Sequence, residues 1–290
     1  MTATSGALYI DKASGMTSHD VVARVRRILG ERRVGHAGTL DPMATGLLIL
    51  GVGPATRLLR FAQGQDKRYR ALLQLGVATD TLDAQGREVA RARVPELSLD
   101  ALRAAAAGLL GEQSQVPPMV SALHHEGRRL HELARAGLEV ERAPRPIRVR
   151  SLEVAATSEP TRWELDVTCS AGTYVRVLAS DLAVRLGTLG HLVGLRRLAS
   201  GTHDVADAVS LEQLAEQPAR FLRPARELVC DMASALLSDE QVLAVRRGQR
   251  VELTDVGEVV AGLDRAGELV GVLERRAEYY QPTLVLAGAS

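Results

Sequence analysis

The sequence predicts an α+β protein: a mixed, largely antiparallel sheet flanked by helices, then a small C-terminal β-barrel. Three observations predict it. Two alternating segments, Ile147 to Ala155 and Trp163 to Cys169, follow each other across a turn, as antiparallel neighbours do. Other stretches carry apolar residues at helical spacing, Val21, Val22, Val25, Ile28 and Leu29 first among them. Beyond Leu228 the texture changes to short apolar segments divided by Gly257, Gly262, Gly267 and Gly271. Short strands at that spacing suggest a small barrel. The 290 residues leave room for two domains, which we place at 1–228 and 229–290.

The elements follow in order. Leu8-Tyr9-Ile10 reads as a strand ending in Asp11-Lys12 and a Gly15 turn. A helix opens near Thr17 to Asp20, shows arginines on its polar face and closes at Gly30. Leu47 to Val52 suits a strand or the start of a helix, and Pro54 leads into a helix carrying Leu58, Leu59 and Phe61. Tyr69 to Val77 alternates as a strand does. Asp80 to Gly86 is a polar turn. Ser98 or Asp100 caps a helix over 101–110, stopped by Gly111. Further helices are expected near 130–136, 174–186 and 241–246, a helix and linker over 211–222, and a strand over 189–198.

Composition excludes several classes. Thirty-six Lys and Arg against 35 acidic residues leave a net charge of +1, so any nucleic-acid surface must come from local segregation. Met1 to Arg60 holds eight basic and four acidic residues, and Arg142 to Arg150 adds four arginines and no acid. Cys169 and Cys230 stand far apart, which argues against a zinc site or a disulfide framework. No secretory leader and no membrane-length apolar run is visible. A cytoplasmic enzyme is expected, monomeric, with no membrane partner, metal or other cofactor.

The densest chemistry lies in Gly35-His36-Ala37-Gly38-Thr39-Leu40-Asp41-Pro42-Met43-Ala44-Thr45-Gly46. Pro42 biases Asp41 toward an extended conformation on a stiff turn. By residue type alone, an Asp-Pro pair is ordinarily just a turn. Aromatic residues make up only 3% of the chain, so Tyr69, between Arg68 and Arg70, and Tyr174 draw attention. By itself Tyr69 reads as a half-buried strand residue.

These motifs together resemble the TruB family of tRNA pseudouridine-55 synthases. Leu8 to Lys12 with Gly15 to Ser18, Gly35 to Gly46, Asp66 to Arg70 with Asp80 to Asp83 and Gly86, Ser170 to Arg176, and Leu195-Arg196-Arg197 occur in the family's order. The resemblance implies a pseudouridine synthase fold and a looser match of 229–290 to a PUA-like RNA-binding domain. It implies isomerisation of a uridine in the tRNA T loop, with tRNA as partner. Asp41 is then the catalytic carboxylate, since an electron-poor carbon needs a nucleophile. Arg176 is its cationic partner, and Tyr69 stacks on the base and serves as the proton acceptor. Tyr174 and Leu195 line the pocket. The target must be flipped from its stack, and His36 is placed to fill the gap. Lys12, Arg142, Arg145 and Arg148 are the expected phosphate contacts.

Four departures stand out. Ala13 replaces a usual Pro. Val120 replaces Tyr in Pro117-Pro118-Met119-Val120-Ser121-Ala122, and His124 and His131 stand where Lys and Tyr are usual. The competing readings are a non-catalytic tRNA-binding factor and a related synthase acting on another RNA.

Overall fold

A computed structural model describes residues 5–121, 124–125, 128–129, 138 and 140–286. Ala122, His131 and the helix expected over 130–136 lie outside the described residues.

The first strands are β1 (Gly6–Lys12), β2 (Val34–His36), β3 (Thr45–Val52), β4 (Lys67–Leu75), β5 (Val77–Thr79) and β6 (Glu88–Arg91). Then come β7 (Gly111–Gln115), β8 (His124–His125), β9 (Arg128–Arg129), β10 (Arg145–Ala156), β11 (Arg162–Cys169), β12 (Gly190–Ser200) and β13 (His203–Asp204). The last are β14 (Ser234–Leu236), β15 (Val259–Leu263), β16 (Leu269–Arg276) and β17 (Tyr279–Val285). The chain divides into two compact units, one of Met1–Leu40, Leu47–Gly64 and Gly201–Ser290, the other of Asp41–Gly46 and Gln65–Ser200. The division does not fall at residue 228.

In the second of these units the strands run β12-β4-β11-β10-β7, each pair antiparallel. Thr45 and Gly46 add a parallel pairing with Arg196 and Arg197, so the sheet is mixed. Residues two apart on a strand share a face. On β4, Lys67, Tyr69, Ala71, Leu73 and Leu75 are buried, while Arg68 and Arg70 are exposed. The helix Val175–Arg185 covers β12 with Leu178, Ala179, Leu182 and Ala183 buried. Each buried leucine side chain there contributes about 1.5–3 kcal/mol.

In the other unit β2 pairs antiparallel with β3, and β1 pairs with β3 on the other side. Thr17 caps the helix Ser18–Leu29 in a reciprocal box with Asp20, and Gly30 ends it at φ 64°. Ala7 and Tyr9 of β1 and Leu47 and Ile49 of β3 share a core with Leu228, Val229, Ala261, Leu269, Val272 and Leu284. That shared core draws residues from both sides of position 228 into one compact unit.

Three expectations need correction. Residues 229–286 form an open four-stranded sheet, β14-β15-β16-β17, not a closed barrel. Both faces of that sheet are already covered. Ala261 faces the core just described, and its neighbour Val260 joins a second cluster with Val242 and Val245 of the helix Asp239–Arg246. The helix expected over 101–110 is Leu99–Ala107, ended at Gly108. Gly111 instead opens β7 at φ +88°, a polar strand that alternation did not predict. Within the helix and linker expected over 211–222, the helix is Leu211–Glu216. No helix among the described residues is long and apolar enough to cross a membrane.

Candidate active site

The stretch Asp41–Gly46 is a turn closed by the Ala44 amide donating to the Asp41 carbonyl at 3.0 Å. It is moored at its end. Gly46, at φ +98°, lies so close to β12 that a Cβ would stand 2.2 Å from the Arg197 carbonyl oxygen. Only glycine fits that backbone and that approach.

The moored turn presents Asp41 to Arg176. Arg176 Nε lies 2.9 Å from Asp41 Oδ2, and Arg176 Nη2 donates to Oδ1 at 3.2 Å. Arg176 is 1% exposed, whereas the Asp41 side chain is 31% exposed. The cation is therefore fixed inside the protein, and the carboxylate faces outward from it.

Arg176 has three further acceptors. Nη1 donates to the Thr81 carbonyl at 2.7 Å and to Asp83 Oδ2 at 3.2 Å, and Nη2 to the Val120 carbonyl at 2.9 Å. The planar guanidinium fork suits this kind of many-sided fixing. Asp83 is itself held, its Oδ1 accepting from Thr81 Oγ1 at 2.7 Å and from the Gln85 amide at 3.0 Å. It sits in the turn between β5 and β6, which pair antiparallel. The turn contains Leu82 at φ 62°, a left-handed conformation uncommon outside glycine. The Leu192 amide of β12 donates to the Leu82 carbonyl at 3.1 Å and holds it there.

Tyr69 is buried on β4, opposite Val167 of β11 and Arg197 of β12. Burial pushes its hydroxyl pKa up, and a hydrogen bond and the charge of Arg197 pull it down. Arg197 is itself 1% exposed. Arg68 and Arg70 point the other way and pair with Asp166 at 2.8 Å and Glu164 at 3.3 Å. Tyr174 precedes the helix that carries Arg176, and burial raises its pKa. Leu195 is buried on β12 beside Ala71. One compact unit thus contains Asp41, Tyr69, Arg176, Tyr174 and Leu195.

His36 and Lys12 belong to the other unit. His36 is half-buried on β2, with its ring edge-on to His19 at 5.6 Å between centroids. Lys12 is not the surface cation expected. It is buried, and its ammonium donates to the carbonyls of Ala13 at 3.0 Å and Met16 at 2.7 Å. Arg145 and Arg148 are exposed on β10, and Arg142 is half-buried ahead of it. Val120, a departure from the family pattern, meets Arg176 through its carbonyl, which every residue possesses. Reading the sequence by residue type missed Asp83 and Gln115 as site residues. The Asp80–Gly86 motif was the available signal for Asp83. Gly86 gave a second, because a Cβ there would lie 2.3 Å from Thr81 Oγ1.

Comparisons follow the same lines. The profile of a family described as "TruB family pseudouridylate synthase (N terminal domain)" matches residues 26–175. The chain is 43% identical over 297 residues to the tRNA pseudouridine synthase B of Arthrobacter sp. (strain FB24), covering 98% of this chain and 97% of that one. Against the enzyme of the same name from Mycobacterium bovis (strain BCG / Pasteur 1173P2) the identity is 39%, covering 100% and 99%. Among solved structures, an H/ACA RNP bound to a substrate RNA containing 2'-deoxyuridine matches with a TM-score of 0.76 at 22% identity, over 98% of this chain and 86% of that one. A Cbf5-Nop10-Gar1 complex matches with a TM-score of 0.75 at 23% identity, over 98% and 84%. At such identities these two report the fold alone.

Proposed function

The chain belongs to the TruB family of pseudouridylate synthases, and from that premise we propose that it converts the T-loop uridine at position 55 of tRNA to pseudouridine. The observation that carries this reading is the half-exposed Asp41 carboxylate held on a buried Arg176. A carboxylate fixed by a cation on one side and open on the other is a nucleophile with a defined line of attack.

The reaction moves few atoms. The N1–C1′ bond breaks, the uracil turns, and C5 joins C1′. The C5 proton then leaves, and its bonding pair restores the ring double bond. Asp41 carries the electron-poor carbon through the first break. Arg176 keeps Asp41 ionised and oriented, because a nearby cation favours the charged form of a carboxylate. Tyr69 and Leu195 bound the ring, and Tyr69, as the phenolate that the Arg197 charge favours against burial, is the acceptor for the C5 proton and becomes the neutral phenol. Tyr174 closes the pocket beside them.

The target base is stacked in a folded loop, so it must be extruded. His36 is our candidate for filling the space it leaves, because an imidazole stacks and hydrogen-bonds at once. Exposed Arg145 and Arg148 supply phosphate contacts. We assign 1–228 to catalysis and 229–290 to RNA binding as a PUA-like module, in a monomeric cytoplasmic enzyme.

Release of tritium from C5 tests the reading. Purified protein incubated with unmodified tRNA carrying 5-tritiated uridine in the T loop should release label, and Asp41→Ala should not. A silent wild type would sink the enzyme reading in favour of a non-catalytic tRNA-binding factor. Release from Asp41→Ala at the normal rate would sink the nucleophile.

A further inference from the structure

Gln115, at the end of the polar edge strand β7, stands outside the motifs that carry the family resemblance. Its side chain is nonetheless buried. Both ends of its amide are engaged on one residue. Gln115 Nε2 donates to the Tyr174 carbonyl at 3.1 Å, and the Tyr174 amide donates to Gln115 Oε1 at 2.8 Å. The side chain thus closes a ring with the backbone of Tyr174.

Tyr174 is the N-cap of the helix Val175–Arg185. The first amides of a helix lack intrahelical acceptors and normally take a side-chain oxygen from the N-cap. This helix has no such side-chain cap and no acidic residue in its first turn. The clamp from β7 instead holds its N-cap by the main chain. Arg176 lies two residues further on. Each helical residue turns the chain by about 100° and advances it by about 1.5 Å. A small slip or rotation at Tyr174 therefore carries the guanidinium away from Asp41, Asp83 and the two carbonyls together. The residues after Gln115 attach to the same place, because the Val120 carbonyl accepts from Arg176.

We propose that Gln115 is a positioning residue for the isomerisation, acting through the Tyr174 backbone to set the phase of the helix and so the seat of Arg176 under Asp41. The proposal rests on the reading of Asp41 and Arg176 as catalytic. It also accounts for β7, an edge strand poor in apolar residues that delivers one amide to the foot of the catalytic helix.

Two substitutions separate the clamp from bulk packing. Gln115→Glu is nearly isosteric and keeps the acceptor but loses the donor. Gln115→Leu loses both. Single-turnover tritium release, with enzyme in excess, should slow at least tenfold for Leu and by an intermediate factor for Glu. The apparent KM for tRNA should stay within threefold in both. In an Arg176→Lys background, Gln115→Leu should slow the reaction no further, since the two act as one unit. Amide hydrogen exchange at Tyr174 to Val177 should speed up in Gln115→Leu, whether or not the protein is active. An unchanged rate, a fully additive loss in the double variant, or unchanged exchange would each overturn the proposal. Asp41→Ala retaining full activity would instead overturn the underlying reading, and the exchange measurement would still judge the clamp.

Discussion

Arg176 and Asp41 meet at 2.9 Å with nearly opposite exposures, the guanidinium sealed and the carboxylate open. An ordinary surface pair would expose both partners and contribute little. Arg176→Lys tests how much the fork matters. One ammonium cannot serve Asp41, Asp83, Thr81 and Val120 together. Tritium release should fall about 10²-fold or more, the scale seen when a preorganised donor is removed, with tRNA affinity little changed. A loss under threefold would show that charge alone suffices.

Asp83 lies on the far side of the same guanidinium and is buried. Asp83→Asn keeps the shape but sets an amide against Arg176 or against its own turn. We expect slower turnover together with a stability loss of about 3 kcal/mol, as when one partner of a buried pair is removed. Urea unfolding followed beside the activity assay checks both. Full stability with lost activity would confine Asp83 to tuning the site.

Val120→Tyr restores the residue common in the family. Because the carbonyl makes the contact with Arg176, turnover should stay within about threefold, below the factor of ten that 1.4 kcal/mol represents. A large gain would mean that the missing ring matters to the RNA.

Lys67 supplies a pH test. Its buried amine is depressed to about 8, chiefly by burial and next by the charge of Arg197. The unfolded amine titrates near 10.4. Between those values the unfolded chain binds a proton that the folded one does not, so stability rises with pH across that window. Below pH 8 the penalty of the buried charge is fully present. Lys67→Met should therefore be more stable than wild type at pH 7, by up to about 3 kcal/mol, and lose that margin toward pH 10. Urea midpoints at pH 7, 8.5 and 10 decide it, and a margin independent of pH would refute it.

His36→Ala should reduce turnover on folded tRNA more than on a flexible, unpaired RNA containing the same uridine. Equal losses on both substrates would remove His36 from any base-displacing role.

Much of the site was legible. Strand alternation put Arg68 and Arg70 opposite Tyr69, and the Asp41 motif carried its own rigidity in Pro42 and Gly46. What stayed hidden depends on distant pairings. Asp83 reaches Arg176 only because β12 holds Leu82 in a left-handed turn, and no local pattern reports that. The burial of Lys12 was hidden because a lysine looks solvated in sequence, yet its ammonium donates to two carbonyls of its own turn. β7 was missed because an edge strand needs no apolar face. The closed barrel was expected from strand spacing alone, which says nothing of a face already covered.

The shared core of β1, β3 and residues 228–286 has a consequence for the order of synthesis. Residues 65–200 leave the ribosome as one continuous stretch and can fold as they emerge. Tyr9 and Ile49 are made early beside Ala55, Leu58 and Ala62 of the same core, but the rest of that core, from Leu228 to Leu286, comes last. A nascent chain halted before β15 would leave part of that early apolar surface open to proteases and to chaperones until the final strands arrive.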